Sequence, residues 1–84
     1  MIDPIRKARI EWRCRRGMLE LDLLFQSFLE FSFAEMKDEQ FDTLERLLGC
    51  DDPDLYNWLM TEESPEDKEL SELVQFIKLR HRVK

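Results

Sequence analysis

The apolar residues of this 84-residue chain recur at helical spacing along most of its length. The clearest stripe is Leu70, Leu73, Val74 and Ile77, whose members share one side of a helix. No segment alternates between apolar and polar residues as a half-buried strand would. The pattern predicts an all-α fold, a compact five-helix small domain with helices at roughly 4–15, 19–33, 38–48, 53–60 and 65–81.

The second predicted helix carries too many apolar side chains for a single stripe, so we expect it to be the central helix, contacted on several sides. The other helices each show one stripe that we expect to enter the core. The remaining stripes are Ile5, Ala8 and Trp12; Phe41, Leu44, Leu47 and Leu48; and Leu55, Trp58 and Leu59.

Helix boundaries are indicated by three prolines and two glycines. A capping side chain stands before proline at three places, Asp3-Pro4, Asp52-Pro53 and Ser64-Pro65. Proline fits the first turn of a helix because its missing N–H would have no partner within the helix there. Ser64 with Asp67 forms a weak capping-box variant. Gly17 and Gly49 are expected to end helices in the left-handed conformation.

The net charge of −6 is unevenly distributed. Residues 1–16 carry +4, residues 17–76 carry −14 and residues 77–84 carry +4. The chain therefore divides into a basic first helix, a corner at 16–20, an acidic helical body at 19–76 and basic C-terminal residues 81–84 that we expect to fray. The acidic body would repel phosphate backbones, which disfavours nucleic-acid binding.

The sequence lacks the residues that several classes of function require. A domain this small has little room for an internal active site, and we expect no catalytic residues. The run Asp51-Asp52-Pro53-Asp54 is better explained by capping than by a metal site, and two distant cysteines with one histidine cannot complete a zinc site. No apolar run reaches the length of a membrane span, and no signal peptide is evident. We expect a cytoplasmic monomer with reduced thiols.

Two features of the N-terminal region are candidates for binding a partner. Arg6, Arg9, Arg13 and Arg16 share one side of the first helix beside Trp12, which fits either an exposed basic face flanking a core tryptophan or a docking surface. The second feature is the corner formed by Arg16, Gly17 and Glu20. By spacing alone it fits a salt-bridged helical corner as well as a partner site.

Two blocks of residues together resemble the bacterial succinate dehydrogenase assembly factors, also called flavinators. The first block contains Lys7-Ala8-Arg9-Ile10, Trp12, Cys14-Arg15-Arg16-Gly17-Met18 and Glu20-Leu21-Asp22. The second contains Leu47-Leu48, Cys50-Asp51-Asp52-Pro53-Asp54-Leu55 and Asn57-Trp58-Leu59. The likeness implies a compact five-helix fold, in agreement with the helix count above.

The resemblance also implies a function, which is to promote covalent attachment of FAD to the flavoprotein subunit of succinate dehydrogenase and of fumarate reductase. The family's R-G-x-x-E motif falls on Arg16, Gly17 and Glu20, and weaker matches fall on Arg9, Trp12, Asp51 and Asp52. The implied role is that of a chaperone-like assembly factor, not an enzyme, with no stably bound cofactor. Whether Arg16 contacts the client or only positions Glu20 stays open.

Two other functions fit a small acidic helical protein with basic arms. One is an antitoxin-like regulatory protein that binds another protein. The other is a DNA-associated factor that uses the arginine stripe. Co-purification with a flavoprotein subunit would favour the assembly factor, and salt-dependent DNA binding would favour the last alternative.

Overall fold

Five α-helices joined by short connections are formed by residues 3–82, the part of the chain that the computed structural model describes. They are α1 Pro4–Arg13, α2 Leu19–Phe31, α3 Asp38–Leu48, α4 Asp52–Met60 and α5 Lys68–Arg82, with a 3-10 turn at Phe33–Glu35 between α2 and α3. The all-α, five-helix prediction is confirmed. Among these helices none has the length and apolar character needed to cross a bilayer.

The expectation that α2 is contacted on several sides is confirmed, and α5 is just as central to the core. The α2 helix packs against α4, α5 and the 3-10 turn, while α5 also packs against α3 and α4. All of the predicted stripe residues of α3 are buried, and so are three of the four in α5, where Leu70 is half-buried. The buried apolar side chains are Ile10, Cys14, Leu21, Leu24, Phe25, Phe28, Phe33, Met36, Phe41, Leu44, Leu47, Leu48, Leu55, Leu59, Leu73, Val74 and Ile77.

The prediction for the apolar stripe of α1 is wrong. Ile5 and Trp12 are 76% and 78% exposed, and Ala8 between them is also exposed. The residues of this helical segment that enter the core are instead Ile10 and Cys14. The reason is the orientation of α1, whose arginine-bearing flank lies against acidic α3 and turns the apolar stripe away from the core.

Only one of the three predicted caps forms as expected. The Asp3 carboxylate accepts a hydrogen bond from the backbone N–H of Ile5 at 2.8 Å. At α4 the N-cap is Asp51, without a side-chain bond, and Asp52 is already helical. The start at Ser64 is wrong because α5 begins at Lys68, where Asp67 accepts from the N–H of Leu70 at 3.0 Å.

The glycines and helix ends show further differences. Neither Gly17 nor Gly49 has a positive φ, and Gly49 caps α3 in the right-handed region at φ −79°. Predicted end points for α1 and α2 were each two residues too long. The backbone of α5 is helical through Arg82. The expected fraying of residues 81–84 otherwise concerns residues 83–84 and the side chains of 81–82, which lie outside the described part of the chain.

Trp58 was expected in the core but is only half-buried, packed against its edge. Its helix contributes Leu55 and Leu59 as the fully buried anchors. The bulk of an indole ring thus covers the core from the side of α4.

Candidate functional site

The corner between α1 and α2 is a five-residue connection, residues 14–18, that contains Arg16 and Gly17. The chain leaves α1 at Cys14 and enters α2 after Met18, whose extended backbone forms the N-cap without a side-chain hydrogen bond. Glu20 lies in the first turn of α2, where the helix dipole favours a carboxylate. The expected position of Glu20 is confirmed.

Arg16 points into the protein. Its side chain is only 14% exposed, and its Nη1 lies 3.3 Å from Oδ1 of Asp52 at the start of α4. Its Nη2 donates to the backbone carbonyl of Leu48 at the end of α3. The guanidinium therefore ties the α1–α2 corner to the junction of α3 and α4, and it uses a carbonyl that the helix end leaves without an internal partner.

Asp22 fixes the same connection from the other side. Its Oδ1 accepts from the backbone N–H of Arg16 at 3.2 Å and from Nε of Arg15 at 3.1 Å. One carboxylate in the first turn of α2 thus holds two successive residues of the connection. The corner is held by contacts on both of its flanks, which restricts the positions available to the exposed residues between them.

Glu20 is exposed, and no hydrogen bond or ion pair joins it to Arg16 among residues 3–82. The expectation that these two charged groups converge on one exposed corner is wrong, because the guanidinium is drawn inward by Asp52 and Leu48. A salt bridge between Arg16 and Glu20 is excluded for the same reason, and the corner is instead held by the Arg16–Asp52 and Arg15–Asp22 pairs. Glu20 is left facing solvent with its charge uncompensated by this arginine.

Gly17 is exposed and has no internal reason to be glycine. Its φ is not positive, and a Cβ built at this position would meet no atom of residues 3–82 within 4 Å apart from its immediate chain neighbours. The described part of the protein therefore has room for a Cβ at this position. A bare backbone here matters only to a molecule that approaches from outside.

The arginine stripe of α1 is also divided by the structure. Arg6 donates to Asp42 at 2.6 Å and to Glu45, both on α3. The hydrogen bond from Arg6 holds the pKa of the Glu45 carboxyl below its usual range. Arg9 is 55% exposed and only reaches Glu45 at 3.4 Å. The stripe therefore joins α1 to α3 through Arg6, while Arg9 at its edge and half-buried Arg13 make weaker contacts or none among residues 3–82.

The two aspartates of the second block have different roles. Asp52 is half-buried, lies in the first turn of α4 and is bound by Arg16. Asp51 is exposed at the N-cap position and makes no side-chain cap bond. Of the weaker candidates, Asp51, Trp12 and Arg9 thus face outward and Asp52 faces inward.

Neither thiol has the environment of a reactive cysteine. Burial raises the pKa of Cys14 to about 12, and burial also raises the pKa of half-buried Cys50. A thiol with a raised pKa is a poor nucleophile at neutral pH, because little of it is ionised. Both cysteines are reduced in the structure, with Cys14 in the core.

Comparison with known proteins identifies the family. Residues 8–81 match the model of the family Sdh5, described as flavinator of succinate dehydrogenase. The chain belongs to this family. The resemblance inferred from the two sequence blocks is thereby confirmed.

Relatives in the Sdh5 family cover nearly the whole chain. A protein of Idiomarina loihiensis named FAD assembly factor SdhE is 47% identical over 92% of this chain and 86% of its own length. A protein of Yersinia pseudotuberculosis with the same name is 46% identical over 93% and 89%. The solution structure of a UPF0350 protein, 42% identical, superposes with a TM-score of 0.76 over 92% of this chain and 82% of that one.

Proposed function

We propose that this protein promotes covalent attachment of FAD to the flavoprotein subunit of succinate dehydrogenase by binding that subunit through the corner between α1 and α2. The observation that carries the proposal is the pairing of Gly17 and Glu20. Both are exposed, neither has a structural role within the chain, and both stand on a backbone that Arg16 and Asp22 hold in place. Membership in a flavinator family supports the same function.

The two outward residues have distinct tasks in this proposal. Gly17 lets a client surface approach the backbone closely, and Glu20 offers a carboxylate to a donor or cation of the client. Arg16 supports both from behind, since its Nη1 and Nη2 are bound to Asp52 and Leu48. Arg9, Trp12 and Asp51 widen the contact surface around the corner.

The protein acts by positioning, and the chemistry takes place in the client. There a histidine nitrogen bonds to the flavin 8-methyl carbon, replacing one N–H and one C–H bond, and the two released electrons stay on the flavin until a two-electron acceptor removes them. Holding these groups at reacting distance can lower a barrier by several kcal/mol. The protein itself therefore needs neither catalytic residues nor stable FAD binding. In this proposal it acts as a monomer. The proposal extends to the flavoprotein subunit of fumarate reductase.

The test uses Gly17→Arg and Glu20→Ala, with Glu66→Ala as a matched control on an exposed acid far along the chain. Each variant is co-expressed with the flavoprotein subunit in cells that lack the native protein, and covalent flavin is measured by in-gel ultraviolet fluorescence. We expect both corner variants to lose most of the signal with unchanged circular dichroism, while Glu66→Ala retains it. Normal covalent flavin with both corner variants would show that the corner is not the contact surface.

A further inference from the structure

A groove runs between the exposed sides of α1 and α2, next to the corner. Its volume is about 570 Å³, within the size range of sites that hold a compact ligand or several side chains. The apolar part of its lining comes from Ala8 and Trp12 on α1 and from Leu29 on α2. Trp12 is 78% exposed, so a large aromatic side chain stands at this groove without a partner.

The charges that line the groove favour a cation. Glu11 on α1 and Glu30 on α2 are both exposed, and neither forms a hydrogen bond or an ion pair within residues 3–82 through its side chain. The basic residue of the lining, Arg15, is bound to Asp22 at 3.1 Å. The groove thus offers two carboxylates without an ion pair among residues 3–82, one on each wall, while Arg15 uses its Nε on Asp22.

The α2 wall also contains an unused hydrogen-bond donor. The side-chain amide nitrogen of Gln26, which lines the groove, is buried and has no hydrogen-bond partner among the described residues. Buried amides normally find an acceptor, and a backbone carbonyl that enters the groove would supply one if this side chain turned toward it.

We propose that this groove binds an apolar segment of the client flavoprotein subunit that places a lysine or arginine between Glu11 and Glu30. The inference rests on the proposed function, and it adds a second contact surface with a stated preference. Apolar side chains of the segment pack on Trp12 and Leu29, its cation pairs with the two carboxylates, and a backbone carbonyl accepts from Gln26.

Continuity with the corner identifies the occupant as the client. Arg15 lines the groove and is followed directly by Arg16 and Gly17, so a protein seated on the corner extends into the groove. A second copy of this chain is the poorer occupant, since two copies that each carry a net charge of −6 repel one another.

The test measures binding of the purified flavoprotein subunit, produced without this protein, by titration calorimetry at low and moderate salt. The groove variants are the double substitution Glu11→Gln with Glu30→Gln, which removes charge at constant shape, and Trp12→Ala. The matched controls are Glu62→Gln with Glu66→Gln, and Leu79→Ala on α5, where the leucine is 61% exposed. We expect each groove variant to raise the dissociation constant about tenfold or more. The double substitution should also make binding less dependent on salt.

A second measurement identifies the cation directly. A carbodiimide joins carboxylates to lysines in contact with them, so wild-type protein should give cross-links from Glu11 or Glu30 to a lysine of the flavoprotein subunit that the Gln variant lacks. If the partner cation is an arginine, Glu30→Lys should weaken binding, and replacing that arginine of the subunit with glutamate should restore it.

The outcomes separate the inference from the function on which it rests. If wild-type protein binds and flavinylates the client, but both groove variants bind within twofold of it, the groove proposal is overturned and the corner proposal stands. Cross-links from Glu11 or Glu30 only to a second copy of this chain would also overturn it. If the wild-type protein neither binds the subunit nor raises covalent flavin, the proposed function itself fails.

Discussion

The inner and outer sides of the N-terminal region, residues 4–20, each carry apolar and charged residues, but the two sides serve different purposes. On the inner side Ile10 and Cys14 are fully buried, and Arg16 is bound to two distant elements. On the outer side Trp12 and Glu20 face solvent. An aliphatic residue and a cation stabilise the fold on one side, while an aromatic residue and an anion are left for contacts on the other.

This difference shows that an amphipathic stripe indicates an apolar face without indicating what covers it. In α3 and α5 the apolar stripe is covered by the rest of the domain. In α1 the arginine flank is attracted to Asp42 and Glu45 of α3, and the apolar stripe is turned outward. An unpartnered stripe on a small domain is a sign of a surface that binds something.

The largest expected effect separates the two sides of α1 directly. Ile10→Ala should destabilise the protein by about 2–5 kcal/mol, because a fully buried side chain is removed and a cavity remains. Trp12→Ala, only two positions away, should change the free energy of unfolding by less than about 0.5 kcal/mol, because the ring is exposed. Urea denaturation of both variants measures the contrast, and similar losses in the two would contradict the assignment of the sides.

A second, smaller effect tests whether Arg16 belongs to the inner side. Arg16→Ala should cost about 1–3 kcal/mol, because it leaves the half-buried Asp52 carboxylate and the Leu48 carbonyl without their donor. Asp52→Asn should cost less, and a double-mutant cycle should show that the two losses are not additive. Gly17→Arg and Glu20→Ala should leave the free energy of unfolding nearly unchanged, although they abolish flavinylation under the proposed function.

If Arg16→Ala and Asp52→Asn lowered the free energy of unfolding independently in that cycle, the ion pair that joins the corner to α4 would be contradicted. A large loss of stability in Glu20→Ala would place this carboxylate on the inner side as well. Either result would remove the physical distinction on which the proposed roles of the corner residues depend.

Most of the fold follows from local sequence rules, and the predicted helix boundaries are wrong where two local rules compete. Ser64-Pro65 and Asp67 both satisfy the rules for a helix start, and the second one forms while Pro65 is buried. No local pattern decides between them, because the burial of Pro65 depends on the rest of the domain. The long predicted α2 ends at Phe31 because a 3-10 turn at Phe33–Glu35 redirects the chain and buries Phe33.

The candidate residues of the site could be chosen from the sequence, but the directions of their side chains could not. Arg16, Gly17 and Glu20 stand out by their motif, yet the partners of the Arg16 guanidinium lie 32 and 36 positions further along the chain. Contacts at that distance depend on how α3 and α4 pack. The groove between α1 and α2 was not predicted, since it depends on the rotation of α1. The combination of Trp12 with Glu11 was the available signal, because an aromatic side chain beside an acid suits an apolar, basic partner.

The smallest effect concerns the pH dependence that the inner side confers on stability. Burial raises the pKa of the Cys14 thiol from 9.0 to about 12, so the folded protein retains a proton that the unfolded chain loses above pH 9. Stability from this group is therefore complete below pH 9 and is lost as the pH rises toward 12. Between pH 8 and pH 10 wild-type protein should lose about 1.4 kcal/mol more stability than Cys14→Ala, when both are measured by urea denaturation in the presence of a reductant. Cys50→Ala is the matched control and should keep most of the wild-type slope, because Cys50 is only half-buried. Equal slopes for wild-type protein and Cys14→Ala would mean that this thiol is accessible to water, and the inner side of α1 would then be less tightly packed than its buried residues indicate.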